Sequence, residues 1–276
     1  YKRQVGLYSD NVVTVLSADK YERYQAKAII VAAGASEKFL AFENNDLPGI
    51  YGAGAIQTLM NLYGVLPGKE AVMVGSGNIG LIVSYQLIQA GVKVKAIIEA
   101  SSKIGGYKVH ASKIARLGIP ILTSTTIKKA IGETKLESIE IVLLDENWKE
   151  IEGTSKNIKV DTLCISVGLT PMHQLISMIG AEMKFVSELG GFVPIINEHH
   201  QTSINSVFIC GDAIGIEEAS SAMMEGYLTG LYVSKYLKHE HPEYENETIK
   251  YEKQLSMLRD GPFGSKTKVG LQKLKE

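Results

Sequence analysis

Cysteine is scarce in this sequence: Cys164 and Cys210 are the two cysteines among 276 residues. They lie far apart and form no CxxC pair, so the dithiol of a disulfide reductase is missing and that activity is disfavoured. Neither cysteines nor histidines cluster at the spacing of a zinc or iron–sulfur site, and we predict no metal site within these residues. Each cysteine falls in an apolar run, which predicts two packed core thiols.

An excess of charge of either sign is also lacking. The net charge is −1, which gives no electrostatic reason to expect nucleic acid or an anionic membrane as a partner. The sequence shows no signal peptide and no apolar run long enough to span a bilayer, and with so little cysteine we predict a cytoplasmic protein. A hydrophobic content of 45% in 276 residues suffices for two domains with their own cores.

The chain does have a glycine-rich run, residues 74–80, between a predicted strand and a predicted helix. Residues 70–74 are apolar, residues 81–91 have apolar positions at helical spacing, and a second apolar run ends at Glu99. This order matches a dinucleotide-binding fingerprint: the first glycine allows a tight turn, the second leaves room for the pyrophosphate, and the third lets the helix pack closely. The alternative is a packing turn without a ligand. The predicted cofactor-binding residues of this segment are Gly75, Gly77, Asn78, Ile79, Gly80 and Glu99.

Glu99 determines the predicted choice of nucleotide. A carboxylate at the end of the second strand accepts a hydrogen bond from the ribose 2′-hydroxyl of NAD and repels the 2′-phosphate of NADP. NAD is therefore the predicted cofactor, although Ser101, Ser102 and Lys103 follow closely and weaken the preference.

Two passages of the chain share one pattern, an apolar strand that ends in glycine after a strand meander and a polar link. The first ends at Gly34 and the second at Gly168. Gly168 lies 93 positions after Gly75, whereas 33 residues precede Gly34. We therefore interpret the sequence as lacking the opening strand, fingerprint and helix of its first domain.

A third apolar run, residues 206–210, leads into Gly211 and Asp212, and a predicted helix follows from about Glu217. An Asp between a strand and a helix can accept hydrogen bonds from the ribityl hydroxyls of a flavin, and the helix N-terminus can stabilise the flavin's negative charge. An ordinary Asp helix cap is the alternative.

The order of these motifs resembles the pyridine nucleotide–disulfide oxidoreductase superfamily over nearly the whole chain. Residues 32–35 and 168–171 resemble its two crossover motifs, residues 75–80 its inserted fingerprint, and residues 211–212 its flavin motif. The resemblance implies an α/β fold with two Rossmann-like, three-layer dinucleotide-binding domains, the NAD-type domain being inserted in the FAD-type domain. It also implies FAD bound through Gly34, Gly168, Gly211 and Asp212. The family's N-terminal FAD fingerprint is missing here.

The implied domain limits are as follows. Residues 1–66 are the incomplete first part of the FAD-type domain, residues 67–168 the inserted NAD(P)-type domain, residues 169–240 the second part of the FAD-type domain, and residues 241–276 a C-terminal helical tail. The tail is interpreted either as a solvated helix or as a segment that docks on a partner subunit.

Short segments resemble one branch of the family; they are residues 37–38, 44–50, 57–61, 105–107 and 215–219. That branch includes the alpha-type subunits of hydrogen cyanide synthase, opine oxidase, dye-linked proline dehydrogenase and heterotetrameric sarcosine oxidase. Such subunits work in hetero-oligomers beside a second flavoprotein that oxidises an amine or amino acid, often with a small iron–sulfur protein.

The predicted function is that of an FAD- and NAD(P)-binding oxidoreductase subunit that transfers hydride or electrons in such a complex. The alternative is a non-catalytic subunit whose fingerprint holds an adenine nucleotide, ATP or ADP, and stabilises the assembly. We name no catalytic residue. His173, two residues after Pro171 near the expected domain junction, is interpreted as structural or exposed, with an approach to the flavin as the alternative.

Overall fold

A computed structural model describes residues 3–8, 10–18, 20–261 and 264–275. Residues 1, 2, 9, 19, 262, 263 and 276 lie outside the described part, so the predicted segments 1–66 and 241–276 are covered in part. The chain is α/β and separates into two compact units. We call Glu37–Gly168 the central unit, and the residues before and after it the flanking unit.

Strands and helices alternate along the described residues. In chain order the strands are β1 (Arg3–Leu7), β2 (Val12–Ser17), β3 (Lys20–Gln25), β4 (Ile29–Val31), β5 (Ala35–Glu37), β6 (Ile50–Gly52), β7 (Glu70–Val74), β8 (Lys93–Ile98), β9 (Ile121–Leu122), β10 (Thr125–Ile131), β11 (Ser138–Leu143), β12 (Lys156–Lys159), β13 (Thr162–Ile165), β14 (Leu169–Pro171), β15 (Met183–Val186), β16 (Gly191–Pro194) and β17 (Val207–Ile209). The helices are α1 (Ala53–Tyr63), α2 (Asn78–Gln89), α3 (Lys108–Arg116), α4 (Gln174–Met178), α5 (Ala219–Tyr236), α6 (Tyr244–Arg259) and α7 (Gly264–Lys275), with 3-10 turns at Ser187–Leu189 and Gly211–Ala213.

The central unit is built in three layers around a parallel sheet of five strands, in the order β6-β13-β7-β8-β9. Helices α1, α2 and α3 cover one face, and the antiparallel sheet β10-β11-β12 covers the other. Successive side chains of a strand point to opposite faces, so Met73 of β7 packs toward the helices while Val72 packs toward the antiparallel sheet. Burial on both faces explains why these strands are continuous apolar runs in the sequence.

The flanking unit contains the antiparallel meander β1-β2-β3, the hairpin β15-β16 and the parallel pair β4-β17. Its core joins Ile29 and Val31 of β4 to Val207 and Ile209 of β17. Because two neighbouring parallel strands end at the same edge of a sheet, the residues that follow β4 and β17 lie at one edge of the flanking unit.

The predicted C-terminal tail packs on the flanking unit. Tyr244 and Leu255 of α6 are buried against α5, and Leu274 of α7 is buried against the 3-10 turn at Ser187–Leu189. The described tail is therefore an integral part of this unit and not a wholly solvated helix.

The first domain limit differs from the predicted one. We placed it between residues 66 and 67, but the units divide between Ser36 and Glu37. The physical reason is that β6 pairs with β13 at the edge of the parallel sheet and that Ile56 of α1 is fully buried in the core of the central unit. The second division, between Gly168 and Leu169, coincides with the predicted limit.

Candidate functional site

The glycine-rich run lies between β7 and α2, and two of its glycines are required by the fold. Gly75 has φ +101°, and a Cβ built there would lie 2.1 Å from the Ser166 carbonyl oxygen. A Cβ on Gly80 would lie 2.2 Å from the Gly75 carbonyl oxygen. Gly75 therefore permits the turn and Gly80 the close contact of the helix with that turn, both for reasons internal to the protein.

Gly77 is different, because nothing in the protein requires a glycine there. Its φ of −64° suits any residue, and a Cβ built on it would meet no atom of the described residues within 4 Å beyond its chain neighbours. Helix α2 starts at the next residue, and no side chain among the described residues caps it. The first N–H groups of the helix therefore face open space and can bind an anion, and a pyrophosphate fits this site.

Glu99 lies at the end of β8 and binds the fingerprint turn itself. Its Oε2 accepts hydrogen bonds from the backbone N–H of Ser76 at 2.9 Å and from the Ser76 hydroxyl at 2.6 Å. Its Oε1 accepts from the N–H of Ser101 at 2.9 Å. A carboxylate has about four acceptor positions, so roughly one remains for a ribose hydroxyl.

Ser76, which the sequence interpretation missed, is fully buried at the centre of this network. Its hydroxyl oxygen also accepts from the N–H of Gly105 at 3.0 Å, and its carbonyl accepts from the N–H of Gly106 at 2.8 Å. Glu99 and Ser76 together hold the turn at residues 104–107 beside the fingerprint.

Asn78 and Ile79 occupy the first turn of α2. The Asn78 side chain accepts a hydrogen bond from the N–H of Tyr107 at 2.8 Å, so its amide oxygen positions the neighbouring turn. Ile79 is 44% exposed, and its side chain lies at the surface. The contribution of both residues to a nucleotide site therefore rests on their backbone N–H groups.

The structure separates the remaining predicted residues between the units. Gly34 follows β4 and Gly211 follows β17, each with a positive φ, at the shared edge of the flanking unit. Gly168 is the last residue of the central unit, where its carbonyl accepts from the N–H of Lys38 at 2.9 Å.

Asp212 lies in the 3-10 turn after β17. Helix α5 begins at Ala219, so Asp212 is not its cap. The Oδ1 atom of Asp212 accepts from the N–H of Glu217 at 3.2 Å. Burial raises the pKa of Asp212, and the nearby charge of Glu217 raises it further.

Three buried charged side chains support this turn. Glu225 of α5 is 3% exposed, and its Oε2 accepts from the N–H of Gly211 at 2.8 Å. Arg259, at the end of α6, forms ion pairs with both Glu217 and Glu225. Burial raises the pKa of Glu225 to about 7, although the positive charge of Arg259 acts in the opposite direction. The sequence offered no signal for this cluster, since its members lie on separate elements.

The histidines and cysteines have structural positions. The ring Nδ1 of His173 lies 2.9 Å from the Ser177 hydroxyl, and its ring packs against Phe192 within the flanking unit. Cys164 and Cys210 are buried free thiols, and burial raises the pKa of both. Among the described residues no group of three or more His, Cys, Asp or Glu side chains is placed to hold a metal ion.

His200 is expected to make the protein sensitive to acid. Burial, followed by the positive charge of Arg259, lowers its pKa to about 4, and its Nδ1 lies 2.7 Å from the Thr229 hydroxyl. The unfolded chain takes up a proton near pH 6.5, so the stabilising contribution is present above that pH and is lost as the pH falls toward 4. The loss is up to about 3 kcal/mol.

Urea unfolding across this pH range tests the expectation with two variants. His200→Gln should flatten the decline of the unfolding free energy between about pH 6.5 and pH 4. His199→Gln is the matched control, because the neighbouring His199 side chain is 52% exposed, and it should keep the wild-type decline. Equal declines in both variants would show that His200 is not the acid-sensitive group.

Comparison with known proteins follows the same division of motifs. Residues 2–226 match the family described as pyridine nucleotide-disulphide oxidoreductase. The chain is 24% identical over 247 residues to hydrogen cyanide synthase subunit HcnB of Pseudomonas aeruginosa, which covers 84% of this chain and 53% of that protein. It is 22% identical over 249 residues to an opine oxidase subunit of Agrobacterium tumefaciens, which covers 87% of this chain and 50% of that protein. The chain thus spans about half the length of these two relatives.

A third relative is much longer. The alpha subunit of sarcosine oxidase from a Corynebacterium species is 27% identical over 220 residues, 78% of this chain and 21% of that protein. Among solved structures, the thioredoxin reductase of T. acidophilum has a TM-score of 0.68 at 20% identity, over 85% of this chain and 74% of that one. The L-proline dehydrogenase of P. horikoshii has a TM-score of 0.65 at 23% identity, over 92% and 43% of the respective chains. These structures support the predicted α/β, Rossmann-like fold.

No helix in the described part of the chain has the length and apolar character needed to cross a bilayer.

Proposed function

Because the chain belongs to the pyridine nucleotide-disulphide oxidoreductase family, whose members bind FAD and NAD(P), we propose that it is an FAD- and NAD-binding subunit of an oxidoreductase. In this proposal it transfers hydride or electrons within a complex that oxidises an amine or amino acid. When bound, the two cofactors supply hydride transfer between nicotinamide and flavin, and the protein positions them.

The observation that carries the proposal is the open position of Gly77 at the start of α2. The protein's own packing accounts for Gly75 and Gly80 but leaves the absence of a side chain at Gly77 without an internal reason. A bound pyrophosphate supplies that reason, since it needs close approach to the backbone and free N–H donors. Glu99 would then accept a hydrogen bond from the adenosine ribose through its remaining acceptor position.

The flavin is proposed to lie against the flanking unit at the edge where β4 and β17 end. Gly34 and Gly211 leave the backbone accessible there, and Asp212 would accept a hydrogen bond from a ribityl hydroxyl. Gly168 is proposed as the corresponding glycine of the central unit.

The proposed partners follow from the relatives, which are named as subunits of hydrogen cyanide synthase, opine oxidase and sarcosine oxidase. We propose a second flavoprotein that oxidises the substrate, and a small iron–sulfur protein that carries electrons between the two. The cytoplasmic location stays a prediction from the sequence.

The nucleotides bound to the purified full-length protein test this function. We expect a flavin absorbance band that NADH bleaches under anaerobic conditions. A colourless protein that holds only ATP or ADP would contradict the proposal and support the alternative function, a non-catalytic subunit stabilised by an adenine nucleotide.

Glu99→Ala is expected to weaken NAD binding by about 1–3 kcal/mol, the range for a lost hydrogen bond to a charged group. Isothermal titration calorimetry with NAD measures the change. Ser76→Ala is the companion variant, because it removes a hydroxyl that binds Glu99 but retains the carboxylate. NAD affinity that is unchanged in Glu99→Ala would remove Glu99 from the site; an equal loss in both variants would assign the effect to the turn.

A further inference from the structure

The segment from Gly211 to Glu217 carries both proposed flavin residues of this edge and is held at each end. At its start, the N–H of Gly211 donates to the Oε2 of Glu225 at 2.8 Å. At its end, the Glu217 carboxylate is paired with Arg259, and the Glu217 N–H donates to the Oδ1 of Asp212 at 3.2 Å. The backbone of Gly211 and the carboxylate of Asp212 therefore depend on side chains that come from α5 and α6.

Arg259 joins the two ends. Its Nε lies 3.0 and 3.1 Å from the two carboxylate oxygens of Glu217, and its Nη2 donates to Oε1 of Glu217 and to Oε1 of Glu225. The planar guanidinium presents several N–H donors in fixed directions, so one arginine can bind two carboxylates at once.

The charges of this cluster are unusual because they are buried. The side chains of Glu217, Glu225 and Arg259 are 5%, 3% and 15% exposed. Two carboxylates so close together and so poorly solvated favour their neutral forms unless a cation lies between them. Arg259 supplies that cation, and an ionised Glu225 makes a stronger, charge-assisted hydrogen bond with the Gly211 N–H.

We propose that Arg259 is a positioning residue for the flavin, which it serves by holding the 211–217 segment through Glu225 and Glu217. The inference rests on the proposed function, since it takes Gly211 and Asp212 as flavin-binding residues. Arg259 is the last residue of α6, so the geometry of the flavin site depends on the C-terminal helices. A second contact agrees with this dependence: the Thr267 hydroxyl of α7 donates to the Ile216 carbonyl at 3.2 Å.

The test uses the full-length protein and the variant Arg259→Lys. Lysine keeps the positive charge but lacks the planar fork, so it cannot bind both carboxylates in the same way. FAD is titrated into the apoprotein to measure its dissociation constant, and the midpoint potential of the bound flavin is measured separately. We expect roughly tenfold weaker FAD binding and a shifted midpoint potential. A purely structural role would lower stability without moving the potential.

Lys268→Gln is the matched control. Lys268 is a tail cation paired with Asp260 at 2.7 Å, with both side chains more than half exposed, and it makes no ion pair with Glu217 or Glu225. Its removal should leave both the FAD dissociation constant and the midpoint potential at their wild-type values.

Glu225→Gln keeps the inference testable if Arg259→Lys does not fold. Glutamine has nearly the same shape and retains an acceptor for Gly211, but it has no charge. Weaker FAD binding with a shifted potential is expected again. A folded variant of either kind with wild-type FAD affinity and potential would overturn the role of Arg259. Wild-type protein that takes up no FAD would instead overturn the proposed function, and the wild-type titration alone decides this.

Discussion

Gly75→Ala is expected to destabilise the central unit by about 3–5 kcal/mol, whereas Gly77→Ala is expected to abolish most NAD binding in a folded protein. At Gly75 an alanine faces two penalties, a φ of +101° and a Cβ that would lie 2.1 Å from a backbone oxygen. The backbone of Ser166 would have to move, and it belongs to the chain segment that follows β13 in the parallel sheet.

At Gly77 an alanine meets no atom of the described residues beyond its chain neighbours, and the backbone conformation suits it. The loss of glycine at a helix cap costs less than about 1 kcal/mol. The new methyl group would occupy the space proposed for the pyrophosphate, so NAD affinity should fall by roughly tenfold or more, which is about 1.4 kcal/mol.

Chemical denaturation and calorimetric titration of both variants separate the two effects. The expected result is a loss of stability at one glycine and a loss of affinity at the other. If Gly77→Ala binds NAD as tightly as the wild type, the fingerprint is a packing turn, and the observation that carries the proposed function no longer holds.

Arg259→Met is expected to lower the free energy of unfolding by about 3–5 kcal/mol, because it leaves two buried carboxylates without a counter-charge. Glu217 and Glu225 are 5% and 3% exposed, so water cannot replace the lost partner. Urea denaturation near neutral pH measures the change. Lys268→Met serves as the control for an exposed tail cation and should change stability by less than about 0.5 kcal/mol.

Adding Glu217→Gln and Glu225→Gln to Arg259→Met should recover at least about 2 kcal/mol, since the uncompensated charges are then gone. A triple variant as unstable as Arg259→Met would attribute the loss to the packing of the arginine side chain.

The predicted elements around the fingerprint are present, because burial on both faces of a parallel sheet leaves continuous apolar runs in the sequence. The limit at residues 66 and 67 was harder to place. Strand β6 has only three residues, Ile50–Gly52, which is too short to show a pattern, and its membership of the sheet is decided by pairing with β13. Residues 37–66 therefore belong to the central unit by packing that no local signal reveals.

The candidate site divides in the same way. Gly75, Gly77 and Gly80 could be predicted because their requirements arise within one short turn. The partners of Glu99 could not, since Ser76 is 23 residues away and meets it only because β8 lies beside β7. A residue predicted to bind ribose is thus also a structural support of the turn.

The sequence by itself determined the family, the α/β class, the two cofactors of that family and the positions of the glycines, because backbone conformation and burial periodicity are local properties. The tertiary structure alone decided which side chains hold those glycines in place. Arg259 reaches Glu225 across 34 residues and Glu217 across 42, and Glu225 in turn accepts a hydrogen bond from Gly211. Such contacts depend on how helices pack in three dimensions, and a one-dimensional pattern of residue types carries no record of them.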